Sequence, residues 1–306
     1  MVKKFLKNVC MIMCCTLLFS FVGCAELDLE LSESGGSDSA SESLSGEVTE
    51  KKTEKKTEKR TEKRTEKKTE KPINTFKLRF GTYNIYHAGN NKDLTKIAKN
   101  ITDNKLDIVG LQEVDNNTKR SGKINQVKKL GELTGYKYYS FFKAISHDGG
   151  EYGLAILSKY PIKSTNKISL SSGSAEQRIL GHAKIDVDGT EINFFVTHLS
   201  YDGEGGGSSR SKQFSEVATE LAKYDNFILS GDFNTRNLDE YTVIKGSALV
   251  NNKENETITY PDGRSPLDNL VYSTSVWKFD KINVVKESYS DHYMVWTEFT
   301  YTENNK

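Results

Sequence analysis

The chain places a series of polar side chains where hydrophobic runs begin or end. Phe80-Gly-Thr-Tyr-Asn84 closes on an amide, Ile108-Val-Gly-Leu-Gln-Glu113 on a carboxylate, and Phe194-Phe-Val-Thr-His198 on an imidazole. Phe227-Ile-Leu-Ser-Gly-Asp-Phe-Asn234 closes on Asp232 and Asn234, two apart. Pro266-Leu-Asp268 opens a run with an acid, and Ser290-Asp-His292 precedes the last one. Taken singly, each is ordinary: a Gly-Asp step after a strand is usually a turn, and a lone histidine is usually a satisfied core or surface residue. Together they point to strand ends converging on one cleft, where α/β sheets bind ligands. Asn84, Glu113 and Asp291 are hard oxygen donors, suited to Mg²⁺, Mn²⁺ or Ca²⁺ and not to Zn²⁺. Two histidines beside such a cation suit phosphate ester hydrolysis: metal and His198 neutralise the phosphoryl oxygens while a polarised water attacks in line.

Those side chains need a scaffold that ends several strands at one edge. Runs rich in β-branched and aromatic residues predict strands at Phe76–Tyr83, Ile108–Leu111, Leu154–Leu157, Ile192–Thr197, Phe227–Leu229, Leu267–Tyr272 and Met294–Phe299. Asp93–Thr102 puts Leu94, Ile97, Ala98 and Ile101 on one helical face, and Ile124–Leu133 and Arg210–Tyr224 behave similarly. Strand–helix alternation early and consecutive strands late predict a mixed α/β sandwich. From residue 73 onward about 230 residues remain, enough for a single large core.

The ordered set Thr82-Tyr-Asn-Ile85, Leu111-Gln-Glu-Val114, Gly153-Leu-Ala-Ile-Leu-Ser158, Thr197-His-Leu199, Gly231-Asp-Phe-Asn234, Leu267-Asp268 and Ser290-Asp-His292 resembles the endonuclease/exonuclease/phosphatase superfamily. Deoxyribonuclease I, exonuclease III-type repair nucleases, neutral sphingomyelinases and inositol polyphosphate 5-phosphatases belong to it. The resemblance covers nearly all of residues 76–299. It implies a four-layered α/β sandwich of the deoxyribonuclease I type, with two mixed β-sheets packed face to face and helices outside. It also implies a metal shell of Asn84, Glu113 and Asp291, normally Mg²⁺. Asp232 corresponds to the residue that orients or deprotonates the attacking water, with Asn234 holding that geometry or contacting phosphate. His198 corresponds to a phosphate-contacting residue, and His292 to a second catalytic histidine oriented by Asp268. Whether Asp232 or the Asp268–His292 dyad supplies the base stays open. Glu151 is a candidate partner of His198, or an ordinary exposed residue at a strand start. Arg178 and His87 are candidate substrate contacts, while His147 and His182 read as surface or structural. Asn269 stands where the family often carries an aromatic residue or histidine.

Charge is distributed unevenly. The formal net charge of +1 hides eight acids and no bases in residues 26–50, and eleven bases against five acids in residues 51–71. Residues 72–306 carry 29 of each sign, which disfavours a uniformly basic, nucleic-acid-coating protein. At the start, Lys3, Lys4 and Lys7 precede an apolar run from Val9 to Val22, too short to span a bilayer and typical of a secretory signal. It ends in Phe21-Val-Gly-Cys24, which resembles a bacterial lipobox, with Phe21 where Leu is usual. The resemblance implies cleavage before Cys24 and diacylglyceryl attachment to its sulfur. All four cysteines lie within residues 1–24, so no disulfide framework or cysteine metal site exists downstream. Residues 25–72 contain almost no core-forming side chains and include five Lys-(Lys/Arg)-Thr-Glu repeats from Lys51 to Glu70. Such a stretch cannot offset chain entropy by burial and reads as a solvated spacer; a basic arm gripping anionic polymer or lipid is the alternative.

Three segments are therefore expected: a lipoprotein signal over 1–24, a charged tether over 25–72 and a catalytic domain over 73–306. The chain is expected to be a monomeric, lipid-anchored, extracytoplasmic phosphoester hydrolase of a bacterial cell envelope. Its expected partners are the membrane, through Cys24, and a nucleic acid, a phospholipid head group or an inositol or sugar phosphate. Tyr138, Tyr139, Phe141 and Phe142 could form a membrane-seeking hairpin, or more simply a core strand. The rival class is a non-catalytic binding lipoprotein that kept the fold.

Overall fold

The computed structural model describes residues 74–89, 93–201, 206–287 and 289–303. The leader, Cys24 and the charged repeat lie outside the described residues. The remainder forms two six-stranded mixed sheets. Sheet A has the order β11-β12-β1-β2-β4-β3, built from β1 (Thr75–Asn84), β2 (Ile108–Asn116), β3 (Tyr138–His147), β4 (Gly150–Ser158), β11 (Trp277–Val285) and β12 (Met294–Thr302). Sheet B has the order β5-β6-β7-β8-β10-β9, built from β5 (Ile162–Ser169), β6 (Ile179–Val187), β7 (Thr190–His198), β8 (Phe227–Asp232), β9 (Ser247–Leu249) and β10 (Asp268–Ser273). Each sheet holds one parallel pair, β1 with β2 and β7 with β8, at its centre.

Strand alternation sorts the side chains into layers. Leu78, Phe80, Phe194, Val196, Ile228 and Leu270 point between the sheets and form the inner core. Tyr83, Val109 and Leu111 point the other way, onto α1 (Leu94–Asp103) and α2 (Gln126–Thr134). Phe195, Leu229 and Val271 pack on α3 (Gly206–Leu221), through Phe214, Val217 and Leu221. The order is thus helix, sheet, sheet, helix, the expected four-layered sandwich. Asp93 caps α1 by accepting from the Thr95 amide, so this helix starts where its apolar face begins.

The same alternation sets the site. Counting by twos from the inner core, Leu78 and Phe80 lead to Thr82 and Asn84, Phe194 and Val196 to His198, Ile228 to Ser230 and Asp232, and Leu270 to Asp268. These polar residues are the last rungs of inward-facing rows. The sheets approach closely just beneath them: a Cβ on Gly110 would fall 2.1 Å from Ser230 Oγ and 3.0 Å from Val196 Cγ2.

Tyr138–Phe142 belong to β3, an edge strand, where Phe142 is buried in the inner core and Tyr139 is 39% exposed. The strand reading fits better than a membrane hairpin. His182 is structural: it is buried, stacks on Phe195 at 4.2 Å and bonds Asn193 Oδ1 through Nε2 at 3.0 Å. Burial holds its pKa below the usual histidine value. The unfolded chain therefore binds this proton more readily, and the stability His182 confers is lost as pH falls below about 6.5. Thermal melts of wild type and His182→Gln should show wild type losing more Tm between pH 7.5 and 5; equal losses would exclude the effect.

Candidate active site

Register alone assembles half of the site. His198 pairs with Asp232 across the parallel β7–β8 ladder, and Asp232 pairs with Asp268 across β8–β10. Three adjacent strands thus present an imidazole and two carboxylates side by side on the inner face. Sheet A supplies the opposing residues. Asn84 ends β1, opposite Gln112 of β2. The β2–β4 ladder slips between Leu111 and Val114, and Glu113 sits within that irregularity at φ 57°. A bulge of this kind re-aims a side chain, and this one turns Glu113 toward Asn84.

The Asn84 side-chain amide donates 3.0 Å bonds to Glu113 Oε1 and to Asp232 Oδ2. Its Oδ1 accepts from the Tyr86 amide at 3.1 Å. Asp232 is 1% exposed, and its Oδ2 also lies 3.5 Å from Nε2 of both His198 and His292. Asn234, at φ 51°, donates its backbone N–H to Asp232 Oδ1, and its side-chain amide lies 3.0 Å from His198 Nε2. Ser290 Oγ donates to the Asn84 carbonyl at 2.7 Å and accepts from the His292 amide at 3.2 Å. That serine docks the Asp291–His292 segment against the end of β1.

The two histidines occupy opposite electrostatic environments. His292 Nδ1 lies 2.8 Å from Asp268 Oδ2, and Asp268 is fully buried. Burial acts to lower the His292 pKa, but the charges of Asp268 and Asp232 prevail and raise it to about 10. His292 is an imidazolium at neutral pH. At His198, burial and then the charges of Arg178 and His292 hold the pKa well below the usual value. Arg178 Nη1 donates to His198 Nδ1 at 3.2 Å, and a guanidinium has no acceptor. His198 is therefore neutral: its Nδ1 accepts from Arg178, while its Nε2 lies 3.0 Å from the Asn234 side-chain amide and 3.5 Å from Asp232 Oδ2. Burial raises the Asp232 carboxyl above the ordinary carboxylate range; Asp268 adds to this and His292 opposes it.

The other candidates divide. Arg178 joins the site, 8% exposed and bonded to Glu176 at 2.8 Å, with its Nε–H buried and unpartnered. Glu151 does not partner His198: it accepts from Asn116 at 2.9 Å and pairs with Lys143 at 3.1 Å. A guanidinium takes the place expected for a carboxylate, since β6, and not the start of β4, adjoins β7. His87 is half-buried against Tyr86, on a turn after β1 near Arg120 and Asp291. Asn269 serves the scaffold: its amide accepts from Asn251 N at 2.9 Å and donates to Asn251 O at 2.8 Å. No strand-end signal marked Arg120 or Tyr260. Arg120 grips the fully buried Asp115 through Nε and Nη2, both at 2.8 Å. The Tyr260 ring stands edge-on to His292 at 5.0 Å. The Asp115–Arg120 spacing, and an aromatic eight residues before Asp268, were the available hints.

The donor set tests for a metal. Burial raises Glu113 to about 7; the Asn84 bond opposes this, while the charges of Asp291 and Asp232 add to it. Clustered carboxylates with a strained charge balance fit a hard divalent cation. Asp232, Asp268 and His292 also lie within ligand reach of one another. Glu113 also feels the charges of Asp291 and Asp232, while Asn84 turns its N–H groups, and not Oδ1, toward Glu113 and Asp232.

A family model described as "Endonuclease/Exonuclease/phosphatase family" matches residues 81–292. Among solved structures, the chain is similar to an endonuclease/exonuclease/phosphatase from Beutenbergia cavernae DSM 12333 (21% identity, 74% of this chain and 72% of that chain, TM-score 0.62). It is also similar to a mannosyl-6-phosphatase from Bacteroides thetaiotaomicron VPI-5482 (19% identity, 72% and 99%, TM-score 0.58). A third likeness is to the human Nocturnin catalytic domain with bound sulfate (19% identity, 75% and 97%, TM-score 0.60). A comparison with curated proteins finds no match. At these identities the structures share the fold, whereas the family match spans more than half of the chain and every strand-end residue from Asn84 to His292. The chain belongs to the Endonuclease/Exonuclease/phosphatase family.

Proposed function

We propose that the protein is a metal-dependent hydrolase of phosphoester bonds that uses an activated water. The observation that carries this reading is the buried Asp232 carboxylate, held by the Asn84 side-chain amide and the Asn234 backbone N–H and faced by Nε2 of both His198 and His292. The family match supports the reaction class. Glu113, Asp291 and Asn84 would hold a divalent cation, Mg²⁺ being the expected ion, and when bound it would polarise a phosphoryl oxygen as a Lewis acid. Asp232, poised upward by burial, takes the proton of the attacking water. The His292 imidazolium and the Arg178 guanidinium offset the phosphoryl charge. Neutral His198, held between Arg178 and Asn234, contacts a phosphoryl oxygen on this reading. On this reading Asp232 is the base and the dyad stabilises charge.

Residues 1–24 serve as a lipoprotein signal on this reading, Cys24 carries the lipid, and residues 25–72 space an extracytoplasmic domain from a bacterial membrane. The leader composition and the confinement of cysteine to it support this part. The likeness to a solved mannosyl-6-phosphatase supports including sugar phosphates among the classes to assay.

Four variants test this reading. Purified protein with Mg²⁺ turns over at least one of DNA, RNA, sphingomyelin, phosphoinositide or sugar phosphate, and Asp232→Asn abolishes it; inactivity on all would sink the hydrolase reading. Glu113→Gln weakens Mg²⁺ binding in calorimetry by at least the ~10–100-fold expected for an outer-shell partner. Because the folded Glu113 pKa is raised, its carboxylate destabilises the metal-free protein as pH rises from about 4.5 through about 7. In EDTA the variant should therefore melt above wild type at pH 8, with a smaller gap at pH 5. Asp268→Asn removes the main charge that raises His292, so the ring should lose its proton at lower pH by NMR, and the alkaline limb of activity should move with it. Cys24→Ala should shift the protein from the membrane to the soluble fraction; retention on membranes would refute lipidation at that sulfur.

A further inference from the structure

The three residues named for the cation come from separate segments: the end of β1, the irregular stretch of β2, and the residues just before β12. The turn that follows Asn84 is linked to all three. Tyr86, His87 and Ala88 have φ of 43°, 44° and 74°, a left-handed run that non-glycine residues rarely adopt. Such a run is strained at each residue and persists only where its surroundings over-determine it. Its near end is tied to the site itself, since Asn84 Oδ1 accepts from Tyr86 N at 3.1 Å. Its far end abuts the Asp291 segment: a Cβ on Gly89 would fall 2.7 Å from the Tyr289 carbonyl oxygen. Ser290 Oγ closes that side, through its 2.7 Å bond to the Asn84 carbonyl and a 3.3 Å contact with Asp291 Oδ1.

The remaining attachment is the side chain of Gln126, the first residue of α2, which is 1% exposed. Its Nε2 donates to the His87 carbonyl at 2.8 Å, and its Oε1 accepts from Asp115 N at 2.8 Å. Asp115 lies two residues beyond Glu113, just past the slip in the β2–β4 ladder. One amide therefore spans from the turn after Asn84 to the strand that carries Glu113. The base of this clamp is itself fixed. Asn125 bridges Asn116 at the end of β2, and Asn117 N donates to the Ile124 carbonyl at 2.9 Å, so the start of α2 is held against that strand. Both polar ends of Gln126 are spent on backbone, and its action runs through the backbone.

The chemistry of the corner explains why a clamp is needed there. Mg²⁺ demands near-ideal octahedral geometry, so the spacing of its ligands is decisive. Glu113, at φ 57°, sits where the β2–β4 ladder is irregular, and regular pairing with β4 does not fix it. Its placement must come from outside that ladder. We propose that Gln126 is a positioning residue for the cation: by clamping the Tyr86–Ala88 turn to β2, it sets the separation of Asn84 and Glu113. The inference rests on the reading of Asn84, Glu113 and Asp291 as the cation site.

The test measures Mg²⁺ binding by calorimetry on the full chain for wild type, Gln126→Leu, Gln126→Glu and Asn193→Ala. Asn193 is the matched control, a buried amide near the start of β7 that also makes two bonds: it meets His182 Nε2 at 3.0 Å and donates to the Asn226 carbonyl at 3.1 Å. Gln126→Leu removes both bonds of the clamp. Gln126→Glu keeps the length and the acceptor for Asp115 N, but sets a carboxylate oxygen against the His87 carbonyl. Both Gln126 variants should weaken Mg²⁺ binding by about 10-fold or more, as loss of an outer-shell partner does. Asn193→Ala should leave the affinity unchanged even where its Tm falls as far. Wild-type affinity in Gln126→Glu, or equal weakening in Asn193→Ala, would overturn the clamp while leaving the cation site standing. Wild type that binds no Mg²⁺ fails the cation reading, and the clamp with it. Should the Gln126 variants not fold, NMR of the wild-type protein decides: the Gln126 side-chain NH₂ signals should shift as Mg²⁺ is added while those of Asn193 stay, and an unmoved Gln126 pair refutes the proposal.

Discussion

One side-chain amide ties the two sheets together at their functional end. Asn84 has two N–H groups and spends them on two carboxylates, Glu113 from its own sheet and Asp232 from the facing one. Buried carboxylates at such a spacing repel, and each demands donors. An aspartate at 84 would add a third negative charge, and a leucine would leave both acids short of partners. The amide holds them at a fixed separation. The Gly110–Ser230 approach sets the same separation from below, where backbone and hydroxyl meet without an intervening side chain. Bulge, register and sheet spacing all serve this one bridge.

From it follows a division of labour between residues of the same type. His198 and His292 both point Nε2 at Asp232 from 3.5 Å, yet one is neutral and the other charged. What differs is the group behind each ring. Behind His292 stands Asp268, which holds the proton on; behind His198 stands Arg178, which keeps it off. Asp232 thus faces one ring of each kind, and the site carries a fixed charge pattern before any ligand arrives. Preorganisation of this sort is where much of the barrier lowering in hydrolytic sites originates.

The strand ends were legible because burial on both faces makes a central strand a continuous apolar run, and a polar residue closing such a run is conspicuous. That signal exposed β1, β2, β4, β7, β8, β10 and β12, and with them Asn84, His198 and Asp232. It was silent for β5, whose residues are almost all exposed, and for β11, where Lys278 and Lys281 interrupt the apolar pattern. Edge strands bury little, so their sequences carry little trace of pairing. Partnerships were harder still. Nothing local to Arg178 says that it lies behind an imidazole twenty residues on; only the β6–β7 ladder brings them together. Glu151 looked suitable by type, but β4 belongs to the other sheet and carries it to Asn116 and Lys143.

The direction of β1 has a mechanical consequence. Thr75 pairs with Thr302 at one pole of the sandwich, and Asn84 stands at the other, nine residue steps along the strand, or about 30 Å. Asn74 and Glu303 bond each other at that first pole, so both ends of the domain depart there. A load, a surface or a fusion partner attached through either end pulls along the strands and away from the cleft. Immobilised by its N-terminal side, the domain stands with its reactive mouth outermost, open to molecules diffusing in from bulk solution.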